Sequence, residues 1–101
     1  MFPIVPSGEN VTRQVLADSA ELMVVRFTFQ ETGATGALHH HPHVQSTFVQ
    51  SGRFRFTIDG RTFEVGPGDA FVIPANAMHG CLCLAPGVLI DGFTPRRDDF
   101  L

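Results

Sequence analysis

Short runs of alternating apolar and polar residues, cut at close intervals by Gly, Pro and Asp, constrain this 101-residue chain more than any other feature. From 21 to 30, Met23, Val25, Phe27 and Phe29 share one face; from 53 to 59, Phe54, Phe56 and Ile58 do the same. A period of two puts alternate side chains on opposite faces of an extended strand, so these are strands with one buried side. The pairs Ser51-Gly52 and Asp59-Gly60 read as turns, the second as a tight hairpin between FRFTI and RTFEV. GPGD at 66–69 is another turn. Strands are expected over 11–17, 21–30, 36–41, 44–50, 53–59, 61–65, 69–74, 78–84 and 87–94, and no helical period of useful length survives. Short strands with turns this frequent predict an all-β sandwich or barrel, with residues 1–101 as one domain.

Composition narrows the function classes. The formal charge is −3 and no basic stripe exists, which argues against a nucleic-acid partner. No apolar run approaches the roughly 20 residues of a membrane span, and the N-terminal MFPIVPSGEN has no cationic start followed by an apolar stretch, so no secretory signal is read there. Cys81 and Cys83 sit two apart in a strand-like segment, where a mutual disulfide would be strained; they read as ordinary reduced residues and point to the cytoplasm. The aromatic complement is ten Phe with neither Tyr nor Trp, which supplies packing area or a dry pocket wall but no hydrogen-bonding handle. A chain of this size buries a modest core, so a bound metal or a second subunit is an expected source of added stability.

Four of the five histidines lie in HHHPH at 39–43. A purification tag would sit at a terminus, and this run lies between strand-like segments. On a strand, His39 and His41 project together and His40 away, so both imidazoles can reach one ion at about 2.0–2.1 Å. Gln45 follows in the next strand, and His79 arrives after a GD…P segment. An HxH pair alone is weak evidence for a metal. With an amide four residues on and a distant His after a turn and a proline, it predicts one divalent ion held by His39, His41, Gln45 and His79. His43, just past Pro42, reads either as lining the pocket mouth or as plain surface, with surface the favoured reading.

This spacing resembles the two motifs of the cupins, small jelly-roll barrels also described as double-stranded β-helices. The first falls on His39, His41, Gln45 and Gly52; the second on Gly68, Pro74 and His79, with Asn76 and Cys83 at positions usually held by Gly and Asn. Gln45 stands where most cupins carry glutamate. An amide oxygen neutralises none of the ion's charge, so the site is expected to be a strong Lewis acid that supports higher oxidation states poorly. The N₃O donor set suits Ni, Zn, Mn or Fe alike.

The segment GVLIDGFTPRRDDFL at 87–101 places Leu89, Asp91 and Phe93 on one face. Asp91 is either a surface carboxylate paired with Arg96 or Arg97, or an acid in an apolar pocket with a raised pKa, available for proton transfer. Together with HHHPHxQ and GPGDxFxIPxNxxHG, this segment resembles the cupins of the KdgF type, pectin-degradation proteins that linearise unsaturated uronates. The resemblance implies metal ligation by His39, His41, Gln45 and His79, and activity residues at Asp91, Phe93 and Arg97. It implies a 4,5-unsaturated uronate monosaccharide, a sugar acid, as substrate. The metal would polarise oxygens, Asp91 move the proton, Arg97 anchor the carboxylate, and Phe93 pack on the sugar or keep the pocket dry. Val44, where relatives often carry glutamate, is a departure beside the site.

Two other readings stand beside it. A metal-dependent dioxygenase on a small molecule would need redox-active iron or copper, against which Gln45 counts. A non-catalytic sugar-sensing module would normally be joined to a DNA-binding domain, for which this length leaves no space. The Phe-rich faces also predict a homodimer, formed by packing barrel sheets.

Overall fold

The structure, a computed structural model, describes all of residues 1–101. Eight strands run β1 (Ile4–Pro6), β2 (Val11–Asp18), β3 (Met23–Phe29), β4 (Thr35–His39), β5 (Val44–Ile58), β6 (Arg61–Val65), β7 (Ala70–Ile73) and β8 (His79–Thr94), followed by a single 3₁₀ turn, Asp98–Phe100. The all-β expectation holds. The expected nine strands become eight because two pairs fuse and β1, which alternation did not reveal, is added.

The fused strands organise the barrel. The first half of β5 pairs with β7 and with the second half of β8, whereas its second half pairs with β6 and with the first half of β8. In turn, the second half of β8 carries β3, and through it β2 and β1, while its first half carries β4. Two long bent strands are thus shared between two sheets that face each other across the core.

The bend sits where a turn was expected. Register between β5 and β8 shifts at Val49/Ser51, Ser51/Arg53 and Arg53/Phe54, so Ser51-Gly52 is a bulge inside a continuous strand. One extra residue there exchanges the two faces of β5. Gln45, Thr47 and Val49 are buried before it, and Phe54 and Phe56 after it. Gly52 has φ +80°, and a Cβ on it would lie 2.6 Å from the Ala85 carbonyl oxygen; a Cβ on Gly87 would run into the Ser51 carbonyl. Only glycine lets the strands approach this closely. Asp59 and Gly60, at φ 47° and 80°, form the expected tight hairpin.

One core cluster gathers Val11, Phe29, Val49, Phe54, Phe56 and Leu89 with neighbours; a smaller one joins Val15, Met23, Val25 and Phe93. As the period of two predicts, Met23, Val25 and Phe29 turn inward. Cys83 is buried and Cys81 half-buried, both free, and burial pushes the Cys81 thiol up to about 12.

Candidate metal centre

Three chain segments converge at one end of the barrel. His39 ends β4 and stands in register with His79, which opens β8. His41 lies beyond the end of β4, so the strand geometry expected to carry it stops two residues short. It nevertheless packs against the others: ring centroids are 4.4 Å apart for His39–His79, 4.8 Å for His41–His79 and 5.5 Å for His39–His41. The ligand nitrogens of His39, His41 and His79 all lie within 4.8 Å of one another, placed to hold a metal ion.

Each ring is oriented by a backbone carbonyl. Nδ1 lies 2.7 Å from Ala37 O in His39, 3.1 Å from His43 O in His41 and 2.9 Å from Ala77 O in His79. A carbonyl can only accept, so each Nδ1 donates and each Nε2 keeps its lone pair facing the others. Burial lowers the pKa of His41 and takes that of His79 down to about 4, keeping both neutral, as ligands must be. The Nε2 of His79 is buried with no protein partner.

Gln45 is set from the other side. Its Nε2 donates to Thr47 Oγ1 and to Asp91 Oδ2, each at 3.1 Å, which uses both amide hydrogens and turns Oε1 toward His41 Nε2, also at 3.1 Å. Two acceptors therefore face each other. That contact is repulsive unless a cation or proton lies beside it, and the depressed His41 pKa disfavours the proton. The donor set fits a divalent ion.

Asp91 is 5% exposed, which excludes the surface reading, and neither arginine pairs with it. Arg96 meets Asp18 at 3.2 Å and Arg97 meets Asp99 at 2.8 Å. Burial raises the Asp91 pKa to about 7, against the opposing effects of the Thr47 hydroxyl and the Arg97 charge. Its Oδ1 has no protein partner. His39, Gln45, His79, Asp91, Phe93 and Arg97 line one cavity of about 240 Å³, whose remaining wall is mostly apolar.

His40 is exposed, as expected, but His43 is not plain surface. It is half-buried, 3.1 Å from the Arg96 carbonyl and 5.3 Å ring to ring from His41. Thr47 was missed although it shares the inward face of Gln45, two residues on; a polar residue at an inward position was the available signal. Phe100 also went unnoticed. It packs on Phe93 at 5.8 Å and forms part of the cavity wall.

The cupin-domain pattern matches residues 25–91. The chain is 40% identical over 96 residues to the pectin degradation protein KdgF of Dickeya dadantii (strain 3937), spanning 93% of this chain and 86% of that one. KdgF from Halomonas sp. superposes with a TM-score of 0.92 at 38% identity, covering 98% of this chain and 91% of that one. An RmlC-like cupin from Shewanella frigidimarina NCIMB 400 gives 0.93 at 38% identity, with 99% and 89% covered. The polyketide cyclase RemF from Streptomyces resistomycificus, at 21% identity, shares the fold alone, with a TM-score of 0.81 and 96% and 76% covered. The chain belongs to the cupin family and, within it, to the KdgF type of pectin degradation proteins.

Proposed function

We propose that this protein linearises 4,5-unsaturated uronate monosaccharides released from pectin or alginate. The observation that carries the reading is a buried carboxyl group, Asp91, hydrogen-bonded to the candidate ligand Gln45 and sharing one cavity with Arg97. A divalent transition metal, one of Ni, Zn, Mn or Fe, held by His39, His41, Gln45 and His79, supplies Lewis acidity to sugar oxygens.

The reaction is an isomerisation. The C1 hydroxyl gives up its proton, the bond from C1 to the ring oxygen breaks, and C1 becomes an aldehyde. The former ring oxygen takes up a proton as that bond breaks and becomes an enol hydroxyl on C5. Protonation at C4 and loss of the enol proton yield the ketone, with no atom gained or lost. Asp91, whose pKa burial raises to about 7, suits both donation to C4 and recovery of the enol proton. Arg97 pairs with the substrate carboxylate. Phe93, 1% exposed and 5.7 Å from the His41 ring, keeps water from the proton-transfer path. A cavity of about 240 Å³ falls below the range usual for drug-sized ligands and suits one sugar ring.

Freshly prepared unsaturated galacturonate, mixed with metal-loaded protein, should lose its conjugated ultraviolet absorbance faster than the spontaneous rate. Asp91→Asn should slow that loss by about 10²–10⁴-fold. A wild-type rate equal to the spontaneous one would overturn the reading; oxygen uptake would point to a dioxygenase instead.

A homodimer is part of this proposal. Val44, Phe48 and Val72 are exposed on adjoining strands of one outer sheet face, an apolar surface that a second copy would cover. Light scattering behind gel filtration should give twice the 11.0 kDa chain mass, and a monomer at micromolar concentration would exclude it. The free cysteines support a reducing, cytoplasmic setting.

A further inference from the structure

We infer that Asp99 is a positioning residue that turns Arg97 into a carboxylate receptor, an inference that rests on the uronate reading above. The evidence is which edge of the guanidinium Asp99 occupies. Arg97 Nε donates to Asp99 Oδ1 at 3.0 Å and Nη2 to Oδ2 at 2.8 Å. This is a side-on, two-point clamp on the Nε/Nη2 edge. Nη1 has no partner in the protein, and Nη2 keeps its second hydrogen. The end-on edge formed by Nη1 and Nη2 is therefore unspent, and it has the fork geometry that matches a second carboxylate.

The guanidinium plane is held as well as its edge. The Arg97 Cζ lies 4.2 Å from the Phe100 ring centroid and 5.2 Å from that of Phe93, and Phe100 also carries the Arg13 guanidinium at 4.3 Å. Stacking fixes the plane and Asp99 fixes rotation within it. The side chain of Arg97 is only 12% exposed, whereas Asp99 is 60% exposed. The clamp thus approaches from the solvent side and Arg97 contributes to the cavity wall. Its charge also matters. Asp99 is held ionised, below its usual carboxylate range, by the Arg97 hydrogen bonds, so the clamp persists at neutral pH; its charge opposes a second carboxylate, and its part is to orient Arg97 rather than to add attraction.

The same contact has a competing reading. If Asp99 occupied the place of the substrate carboxylate, it would be a competitor, and removing it would tighten binding. The side-on geometry argues for positioning.

Asp99→Asn, Asp99→Glu and wild type should be compared in metal-loaded form for KM and kcat on unsaturated galacturonate. Binding of saturated galacturonate, and of galactose as the neutral control, should be measured by calorimetry. We expect Asp99→Asn to raise KM and weaken galacturonate binding about tenfold, with kcat within about twofold, galactose binding unchanged and the melting temperature preserved. Asp99→Glu should restore part of the loss. Unchanged or lowered KM in Asp99→Asn, or equal weakening of galacturonate and galactose, would overturn the inference. If wild type binds galacturonate but turns over no unsaturated uronate, the linearisation reading fails while the calorimetric comparison still decides the role of Asp99.

Discussion

The Gln45 side chain shows how far a single amide can be determined by its neighbours. Thr47 and Asp91 accept both of its hydrogens, so its oxygen is turned toward the Nε2 of His41. The convergence of His39, His41, Gln45 and His79 was legible from spacing, because candidate ligands recur at intervals that a strand or turn can align. Thr47 and the half-burial of His43 were not, since neither residue type signals a role without knowing what packs on it. Two titrations meet here with opposite signs in the metal-free protein. Asp91 is raised from 3.8 to about 7, so the stability it contributes is present at low pH and lost as pH rises through about 7. His79 is lowered from 6.5 to about 4, so its contribution is present above 6.5 and lost as pH falls toward 4. Between about 4 and 6.5 the two oppose one another. Asp91→Asn leaves His79, with His41 acting in the same direction, and the melting temperature of the metal-free variant, followed by circular dichroism, should climb with pH across that window more steeply than wild type. An identical pH slope in the two proteins would show that Asp91 ionises normally. His79→Ala should lower metal affinity by about a hundredfold or more, since one donor of a small set is lost, as judged by metal retained after dialysis.

Among the elements, the alternation in β3 and the Asp59-Gly60 hairpin could be read directly, because period and turn chemistry are local. The fusion of the expected strands into β5 and β8 could not. A glycine with φ +80° serves a turn and a bulge equally well, and only the strand lying across it decides which forms. Gly87 is the corresponding point on β8, where the Ser51 carbonyl occupies the space a Cβ would need. Gly87→Ala should destabilise the fold by about 2–3 kcal/mol, read as a lower urea midpoint at unchanged slope. A variant as stable as wild type would mean that the strands can separate here at little cost. Because Asp91 and Phe93 follow on the same strand, the variant should also lose activity beyond what its unfolded fraction explains.

At the scale of the whole molecule, an ion held at this site would be thermodynamically linked to the fold. The histidines come from β4, the segment after it and the start of β8, and an unfolded chain offers no such cluster. Free metal at a hundred times its dissociation constant should therefore add about 2.7 kcal/mol, and stripping it with a chelator should lower the melting temperature reversibly. No change on stripping would mean that the ion binds folded and unfolded chains alike. The 16-residue span of β8 has a further meaning for how the chain finds its native state. His79, Cys83, Leu89, Asp91 and Phe93 are all odd-numbered and all face inward, so the strand keeps one phase from end to end. A slip by one residue would expel the metal-binding end and the proton-bearing end together. Register selection and assembly of the site are therefore one event: only the aligned strand brings His79 against His39 and Asp91 against Gln45.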